Sequence, residues 1–149
     1  MIGTDIAIDL GTSRFKVYLD GKGIVVSEPS IIAVDNLTDE VIAVGSDAYD
    51  MLGRTSDRIT VSRPLSNGVI SDFSMAEQLI SHYLRQIAPS RVFMPRVVVS
   101  VPCNVTEVEK RAVVEAITAA GVRKVCLIEE PVAAAIGAGV DIAVPHGTM

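Results

Sequence analysis

The chain has 149 residues, of which 49% are hydrophobic and 21% charged, and its formal net charge is −5. This length allows one well-buried core, or one domain with a small insertion, and the composition is globular rather than disordered. Because the 13 Lys and Arg residues are scattered along an acidic chain, we expect no nucleic-acid partner. No apolar run reaches membrane-spanning length and no secretory pattern opens the sequence, so we expect a cytoplasmic protein.

The two cysteines, Cys103 and Cys126, lie in separate predicted elements without Cys-x-x-Cys spacing. We expect both to be small buried side chains. Neither a disulfide nor a cysteine metal site is predicted.

The first predicted element is a strand, a tight turn and a returning strand over residues 6–19. Apolar residues alternate before and after the turn, and Asp9 lies near the end of the first strand. The backbone N–H groups of residues 11–14, with the Thr12 and Ser13 hydroxyls, can form a concave site for phosphate oxygens, and Asp9 can hold a cation through water. An ordinary hairpin with Gly and Asp as turn formers explains the same pattern equally well.

The next stretch is predicted to contain short strands and a polar excursion. Residues 24–26 and 30–34 form a third, broken strand with Pro29 in the break, and residues 41–44 pair with its second part. Ser46 is predicted to cap a short helix over residues 47–52. Residues 54–68 are predicted to be irregular.

The second half alternates helices and strands. A helix over residues 74–88 is predicted to be capped by Ser74 and ended by Pro89, and residues 97–101 form a strand buried on both faces. Thr106 and Glu109 have capping-box spacing for a helix that ends at residue 120. The side chains predicted to be buried on it are Val108, Ala112, Val113, Ala116 and Ile117. A buried strand over 125–128 and a further helix follow, so we expect a mixed α/β sheet with helices packed on it.

Two carboxylates, Glu129 and Glu130, lie where the last strand meets the last helix. Ligands bind at this edge of open α/β sheets, but acidic residues also stabilise a helix N-terminus without any chemistry. For this motif alone the structural explanation is the stronger one. Asp9 ends a strand of the same predicted sheet, however, so one carboxylate for a metal and one for a water can meet there, which suits phosphoryl transfer.

Nine segments, taken in order along the chain, carry a resemblance to a known family. They read IDLGT at 8–12, GKGIV at 21–25, SEPS at 27–30, MLGRT at 51–55, RPL at 63–65, GVISDF at 68–73, VTEVEKRA at 105–112, IEEP at 128–131 and AAAIGAG at 133–139. The chain resembles the MreB/Mbl family of bacterial actin homologues, within the superfamily of actin, chaperone and sugar-kinase ATPases.

The resemblance implies an actin-like, ribonuclease-H-like α/β fold. Its mixed sheet would have three antiparallel strands followed by parallel ones, with helices on both faces and a small α+β insertion. Residues 1–33 and 69–149 would form the larger subdomain of the first lobe, and residues 34–68 the small inserted subdomain. The family continues into a second phosphate loop and a second lobe, so we expect these 149 residues alone to show no ATP turnover above background.

The resemblance also implies ATP or ADP with Mg²⁺ as cofactors. Asp9 would hold the magnesium ion through water, and Glu130 would orient the attacking water. The residues predicted to bind phosphate are Gly11, Thr12, Ser13, Arg14 and Lys16. Lys16 stands where the family usually has a neutral residue and actin has a phosphate-contacting lysine, so we expect it to reach the β-phosphate.

A membrane contact is implied as well. The loop over residues 91–96 presents Val92, Phe93 and Met94 between two arginines, which suits a membrane interface, although Phe93 and Met94 can instead pack on the core. The partners implied are other copies in filaments, the inner face of the cell membrane and the cell-wall elongation machinery. The protein would be cytoplasmic and peripheral to that membrane.

The function implied is a filament-forming cytoskeletal ATPase that directs cell-wall synthesis and rod shape. The alternative is the ATPase lobe of a heat-shock chaperone, which has a longer insertion than the roughly 35 residues between Val34 and Gly68. A sugar or acetate kinase lobe is a third possibility, but no substrate pocket is evident in the sequence.

Overall fold

The computed structural model describes residues 5–87, 95–143 and 147. In chain order the elements are β1 (Asp5–Leu10), β2 (Arg14–Leu19), β3 (Gly23–Pro29), β4 (Ile32–Asp35), β5 (Val41–Val44), α1 (Gly45–Asp50), β6 (Ile59–Ser62), β7 (Leu65–Ser66), β8 (Val69–Ile70), α2 (Phe73–Ile87), β9 (Arg96–Val101), α3 (Glu107–Ala119), β10 (Lys124–Glu129) and α4 (Glu130–Gly137).

A five-stranded sheet in the order β10-β9-β1-β2-β3 organises the molecule. β1, β2 and β3 pair antiparallel, whereas β9 runs parallel to β1 and β10 runs parallel to β9. The predicted mixed sheet, three antiparallel strands followed by parallel ones, is therefore confirmed.

The main core lies between one face of this sheet and the helices α2 and α3. Every second residue of β1, β2 and β9 is buried on this face, including Ile8, Phe15 and Val99. Tyr83 of α2 stacks on Phe15 with ring centroids 5.1 Å apart. Ile117 of α3 is fully buried in the same cluster. Because side chains alternate between the two faces of a strand, the apolar side chains of β1, β2 and β9 pack against two amphipathic helices.

The opposite face of the sheet carries α4, so helices lie on both faces, as predicted. α4 contacts β9 and β10 and leaves the neighbouring strands open. Val98 of β9 is 41% exposed on this side, and β10 alternates between half-buried and exposed residues. The prediction that residues 97–101 are buried on both faces is therefore wrong, and β10 is less buried than predicted.

A second sheet follows Pro29, with strand order β5-β4-β6. Residues 32–35 belong to this sheet and not to a continuation of β3. β6 lies within residues 54–68, which were predicted to be irregular, and it pairs with β4 along four register positions. Arg58 reinforces the pairing, since its Nε donates to Asp35 Oδ2 at 2.7 Å. The division into subdomains at residues 34 and 68 stays a prediction.

The two sheets are joined through α1 and β3. Glu28 of β3 accepts hydrogen bonds from the backbone N–H of Ser46 at 3.0 Å and from its hydroxyl at 2.6 Å. Helix α1 begins at Gly45 with Val44 at the N-cap, so the prediction of Ser46 as the cap is wrong. Burial, with Glu28 and Asp47 nearby, raises the pKa of Tyr83 to about 12, so its hydroxyl stays protonated at this junction.

The helix caps and the exposure of three side chains differ in part from the predictions. The capping box at Thr106 and Glu109 is confirmed. Helix α2 is instead capped by Asp72, whose Oδ1 accepts the Met75 N–H at 3.0 Å, so the prediction of Ser74 as its cap is wrong. Val108 is 77% exposed, and Cys103 and Cys126 are both exposed, so all three were wrongly predicted to be buried. Pro89 lies outside the described residues.

Candidate functional site

The candidate site lies at the carboxyl edge of the parallel strands β1, β9 and β10. Asp9 of β1 is in register with Ser100 of β9, and Ser100 is in register with Ile128 of β10. Residues 11–13 connect β1 to β2 at this edge, and Glu130 begins α4 directly after β10. The predicted metal residue, phosphate loop and water-orienting residue therefore share one edge of the sheet.

The loop of residues 11–13 is held from beneath by Ser30, which is fully buried. The Ser30 hydroxyl donates to the Gly11 carbonyl at 2.6 Å, and the Ser30 N–H donates to the Ser13 carbonyl at 3.1 Å. A Cβ at Gly11 would lie 2.6 Å from the Arg14 carbonyl oxygen, so this tight turn requires glycine. The Gly11 and Ser13 carbonyls thus point toward Ser30, inside the protein. The solvent side of the loop can therefore offer N–H groups to an anion.

Gly68 links this loop to Glu130, and sequence reasoning missed it. Its N–H donates to Thr12 Oγ1 at 3.0 Å. A Cβ at Gly68 would lie 2.6 Å from Pro102 Cγ and 3.4 Å from Glu130 Oε1. Thr12, Gly68 and Glu130 are therefore adjacent, although they are far apart in sequence. Gly68 and Ser30 both lie in segments that carry the family resemblance, GVISDF and SEPS, but nothing in those segments placed either residue at the site.

Asp9 is engaged on both carboxylate oxygens. Lys16 Nζ lies 3.2 Å from Oδ2, and the Ser100 hydroxyl lies 3.4 Å from Oδ1. The described residues contain no cluster of three or more His, Cys, Asp or Glu side chains able to hold a metal alone. A nucleotide-bound Mg²⁺ takes only one or two carboxylates and completes its shell with phosphates and waters. One half-exposed carboxylate beside hydroxyls therefore fits such an ion.

Arg14 and Cys103 flank the site without joining it. The Arg14 guanidinium turns toward strand β3, where Nη1 donates to the Ser27 carbonyl at 2.9 Å and to its hydroxyl at 3.1 Å. Its predicted phosphate role stays a prediction. Partial desolvation and the neighbouring Glu129 carboxylate raise the pKa of the Cys103 thiol. A raised pKa disfavours the thiolate, which is the nucleophilic form of cysteine.

The predicted membrane residues Val92, Phe93 and Met94 lie outside the described residues. Arg96, which follows them, is the first residue of β9, and its guanidinium binds Asp5 with two contacts of 2.8 and 2.6 Å. This hydrogen bond lowers the pKa of the Asp5 carboxyl. Within the described residues, none of the helices is long and apolar enough to cross a membrane.

The sheet topology, the loop after β1 and the carboxylate after β10 define an actin-like domain. A subunit of the MamK double helical filament superimposes with a TM-score of 0.75 over 91% of this chain and 43% of that chain, at 21% identity, which supports the fold alone. Residues 3–149 match the family described as MreB/Mbl protein, and the chain belongs to that family.

Relatives within the family are considerably more similar. MreB5 of Spiroplasma citri, solved with ADP, has a TM-score of 0.86 and 36% identity over 97% of this chain and 44% of that chain. The same protein has also been solved with AMPPNP. The cell shape-determining protein MreB of Escherichia coli strain K12 is 46% identical over 156 aligned positions, which cover all of this chain and 45% of the relative. The chain thus spans less than half the length of these proteins.

Proposed function

We propose that this chain is the phosphate-binding part of the first lobe of a cell-shape-determining, actin-like ATPase. The observation that carries the proposal is the meeting of Asp9, the loop of residues 11–13 and Glu130 at one sheet edge. Family membership and the ADP and AMPPNP complexes of MreB5 support nucleotide as the ligand. The match over residues 3–149 favours this function over a heat-shock chaperone.

The residues at this edge divide the work of phosphoryl transfer. Thr12 Oγ1 already accepts the Gly68 N–H, so its own O–H is free to donate to a phosphate oxygen. Gly11 and Ser13 add N–H groups of the tight turn. Asp9 would hold Mg²⁺ through water, and the ion, when bound, neutralises phosphate charge. Lys16 is close enough to Asp9 to supply a second positive charge to the β-phosphate.

Glu130 is proposed to orient the attacking water. Glu130 is the first residue of α4 and is exposed. Gly68 lies between Glu130 and the loop of residues 11–13, and a Cβ at Gly68 would be in van der Waals contact with the Glu130 carboxylate. Its exposed carboxylate can accept a proton from water, and positioning of this kind contributes about 10²–10⁴-fold to rate. Glu129, by contrast, is the N-cap residue of the helix.

The full-length protein is proposed to polymerise into filaments on the inner face of the cell membrane and to direct cell-wall synthesis there. Support comes from E. coli MreB, which is named a cell shape-determining protein, and from the family itself. Val92, Phe93 and Met94 are proposed to make the membrane contact. Liposome flotation of the full-length protein should fall in a Val92→Ser/Phe93→Ser variant, and unchanged flotation would remove the membrane proposal.

The decisive test of the site separates binding from turnover in a full-length protein containing this chain. Glu130→Ala should retain ATP affinity while ATP hydrolysis falls by about 10²-fold or more. The matched control is Glu129→Ala, which removes the adjacent carboxylate at the end of β10 and should hydrolyse ATP nearly as the wild type does. Equal losses in both variants, or turnover that Glu130→Ala leaves intact, would refute the role of Glu130.

A further inference from the structure

A row of polar side chains crosses the open face of the main sheet at the level of Asp9. Lys16 of β2 is the direct register partner of Asp9, and Ser100 of β9 is its partner on the other side. Side chains opposite one another on adjacent strands point to the same face and lie within contact distance. The backbone register therefore dictates that Lys16 and Ser100 both reach the Asp9 carboxylate, as observed.

The ammonium group of Lys16 therefore forms an ion pair with Asp9, the carboxylate that is expected to hold a divalent cation. Its Nζ lies 3.2 Å from Asp9 Oδ2, and the two side chains are 45% and 43% exposed. A half-exposed ion pair of this kind changes an equilibrium constant by only a few-fold. Such a pair is strong enough to orient Asp9 and weak enough to exchange, because the lysine side chain is long and flexible.

We propose that Lys16 sets the magnesium selectivity of this site by competing with the metal for Asp9. Without a divalent cation, Lys16 stays on Asp9 and cancels the charge that would otherwise repel a nucleotide phosphate. With a divalent cation, Asp9 exchanges Lys16 for the metal's water shell, and the lysine turns to the phosphate. This inference rests on the proposed nucleotide function.

The consequence differs from that of a simple phosphate contact. A lysine that only binds phosphate also favours metal-free nucleotide, which carries more negative charge, but its effect is independent of Asp9. A lysine that also substitutes for the metal strengthens metal-free binding more, because it removes the repulsion from Asp9. The change of the affinity ratio in Lys16→Met therefore isolates the exchange only when it is compared with the same change in an Asp9→Asn background, where it should be smaller.

The test uses a fluorescent ATP analogue and a full-length protein containing this chain. The affinity of the protein for the analogue is measured in excess MgCl₂ and in EDTA, for wild type, Lys16→Met and Lys16→Arg, and for Asp9→Asn with and without Lys16→Met. In Lys16→Met the ratio of the Mg²⁺ affinity to the EDTA affinity should rise about two- to fivefold, as expected for loss of one exposed ion pair. Lys16→Arg, which retains the charge, should stay close to the wild-type ratio.

Lys22→Met is the matched control, because it removes the same charge from the exposed turn before β3. It should leave the ratio unchanged. Nucleotide binding with the same ratio in wild type and Lys16→Met would overturn the exchange but not the proposed function. A wild-type protein that binds no nucleotide under either condition would overturn the proposed function itself.

Discussion

Among single residues, Gly68 combines two restrictions on substitution, a left-handed backbone and a close neighbour. Its φ is +76°, and an added Cβ would meet Pro102 at 2.6 Å. Gly68→Ala should therefore incur about 1–2 kcal/mol for the left-handed conformation and a further 1–3 kcal/mol for overpacking. Chemical denaturation of the chain, followed by circular dichroism, measures the loss.

Gly53 provides the control for that substitution. Its φ is +69°, but nothing lies within 4 Å of an added Cβ. Gly53→Ala should therefore lose only the conformational part, about 1–2 kcal/mol. If the two variants were equally stable, the close approach of Pro102 to Gly68 would be contradicted.

The residues of the site were predictable from sequence to different degrees. Asp9 and residues 11–13 form a local pattern, so the turn and its strands could be predicted from alternation. Ser30 and Gly68 could not, because their roles are hydrogen bonds to Gly11 and Thr12 across 19 and 56 residues. Nothing in the local pattern of either residue specifies such a partner.

At the scale of elements, α3 depends on its capping box. Thr106 Oγ1 accepts the Glu109 N–H at 3.2 Å, and the Glu109 carboxylate accepts the Thr106 N–H at 2.7 Å. Thr106→Ala should lower the free energy of unfolding by about 0.5–2 kcal/mol, because a helix N–H loses its acceptor. Thermal and urea unfolding of the chain measure this change.

The same substitution at Thr118 tests whether the cap is responsible. Thr118 is exposed near the end of α3, and its hydroxyl bonds the Val114 carbonyl of the preceding turn. Thr118→Ala should be neutral or slightly stabilising, since alanine is the better helix former. A loss as large as that of Thr106→Ala would show that the cap contributes nothing specific.

The cap also carries a pH dependence. The Thr106 N–H, and then its hydroxyl, lower the pKa of Glu109. A lowered pKa means that this contribution is present above the ordinary glutamate value of about 4.3 and is lost as the pH falls through the folded value. Because Thr106→Ala keeps the backbone N–H and removes only the hydroxyl's share, the difference in free energy of unfolding between Thr106→Ala and wild type should narrow only slightly in acid.

Elements were predicted well where a local sequence pattern specifies them. They were predicted poorly where the outcome depends on which other elements pack against them. The capping box of α3 is a four-residue pattern and was correctly identified. The strand β6 was missed, because residues 59–62 gain their strand partners only when β4 lies beside them. Val98 and Val108 are apolar in sequence but face the sides of their elements that the described neighbours leave uncovered.

At the scale of the whole molecule, the open face of the main sheet exposes several large apolar side chains. Tyr18, Ile24, Val98 and Ile136 line a groove of about 410 Å³ beside α4, and each is more than 40% exposed. Contiguous exposed apolar area promotes association in water, whereas a single exposed apolar side chain does not. This face should therefore govern the solubility of the chain.

Ile24→Lys tests this expectation, because Ile24 is 66% exposed within the groove. The substitution should reduce self-association in light scattering and lower the fluorescence of a bound hydrophobic dye. Its effect on stability should stay within about 0.5 kcal/mol, since the side chain is already solvated. Leu37→Lys makes the same kind of change at a loop residue that is 79% exposed, and it should alter neither measurement. Equal effects of the two variants would mean that added charge, rather than the apolar sheet face, controls association.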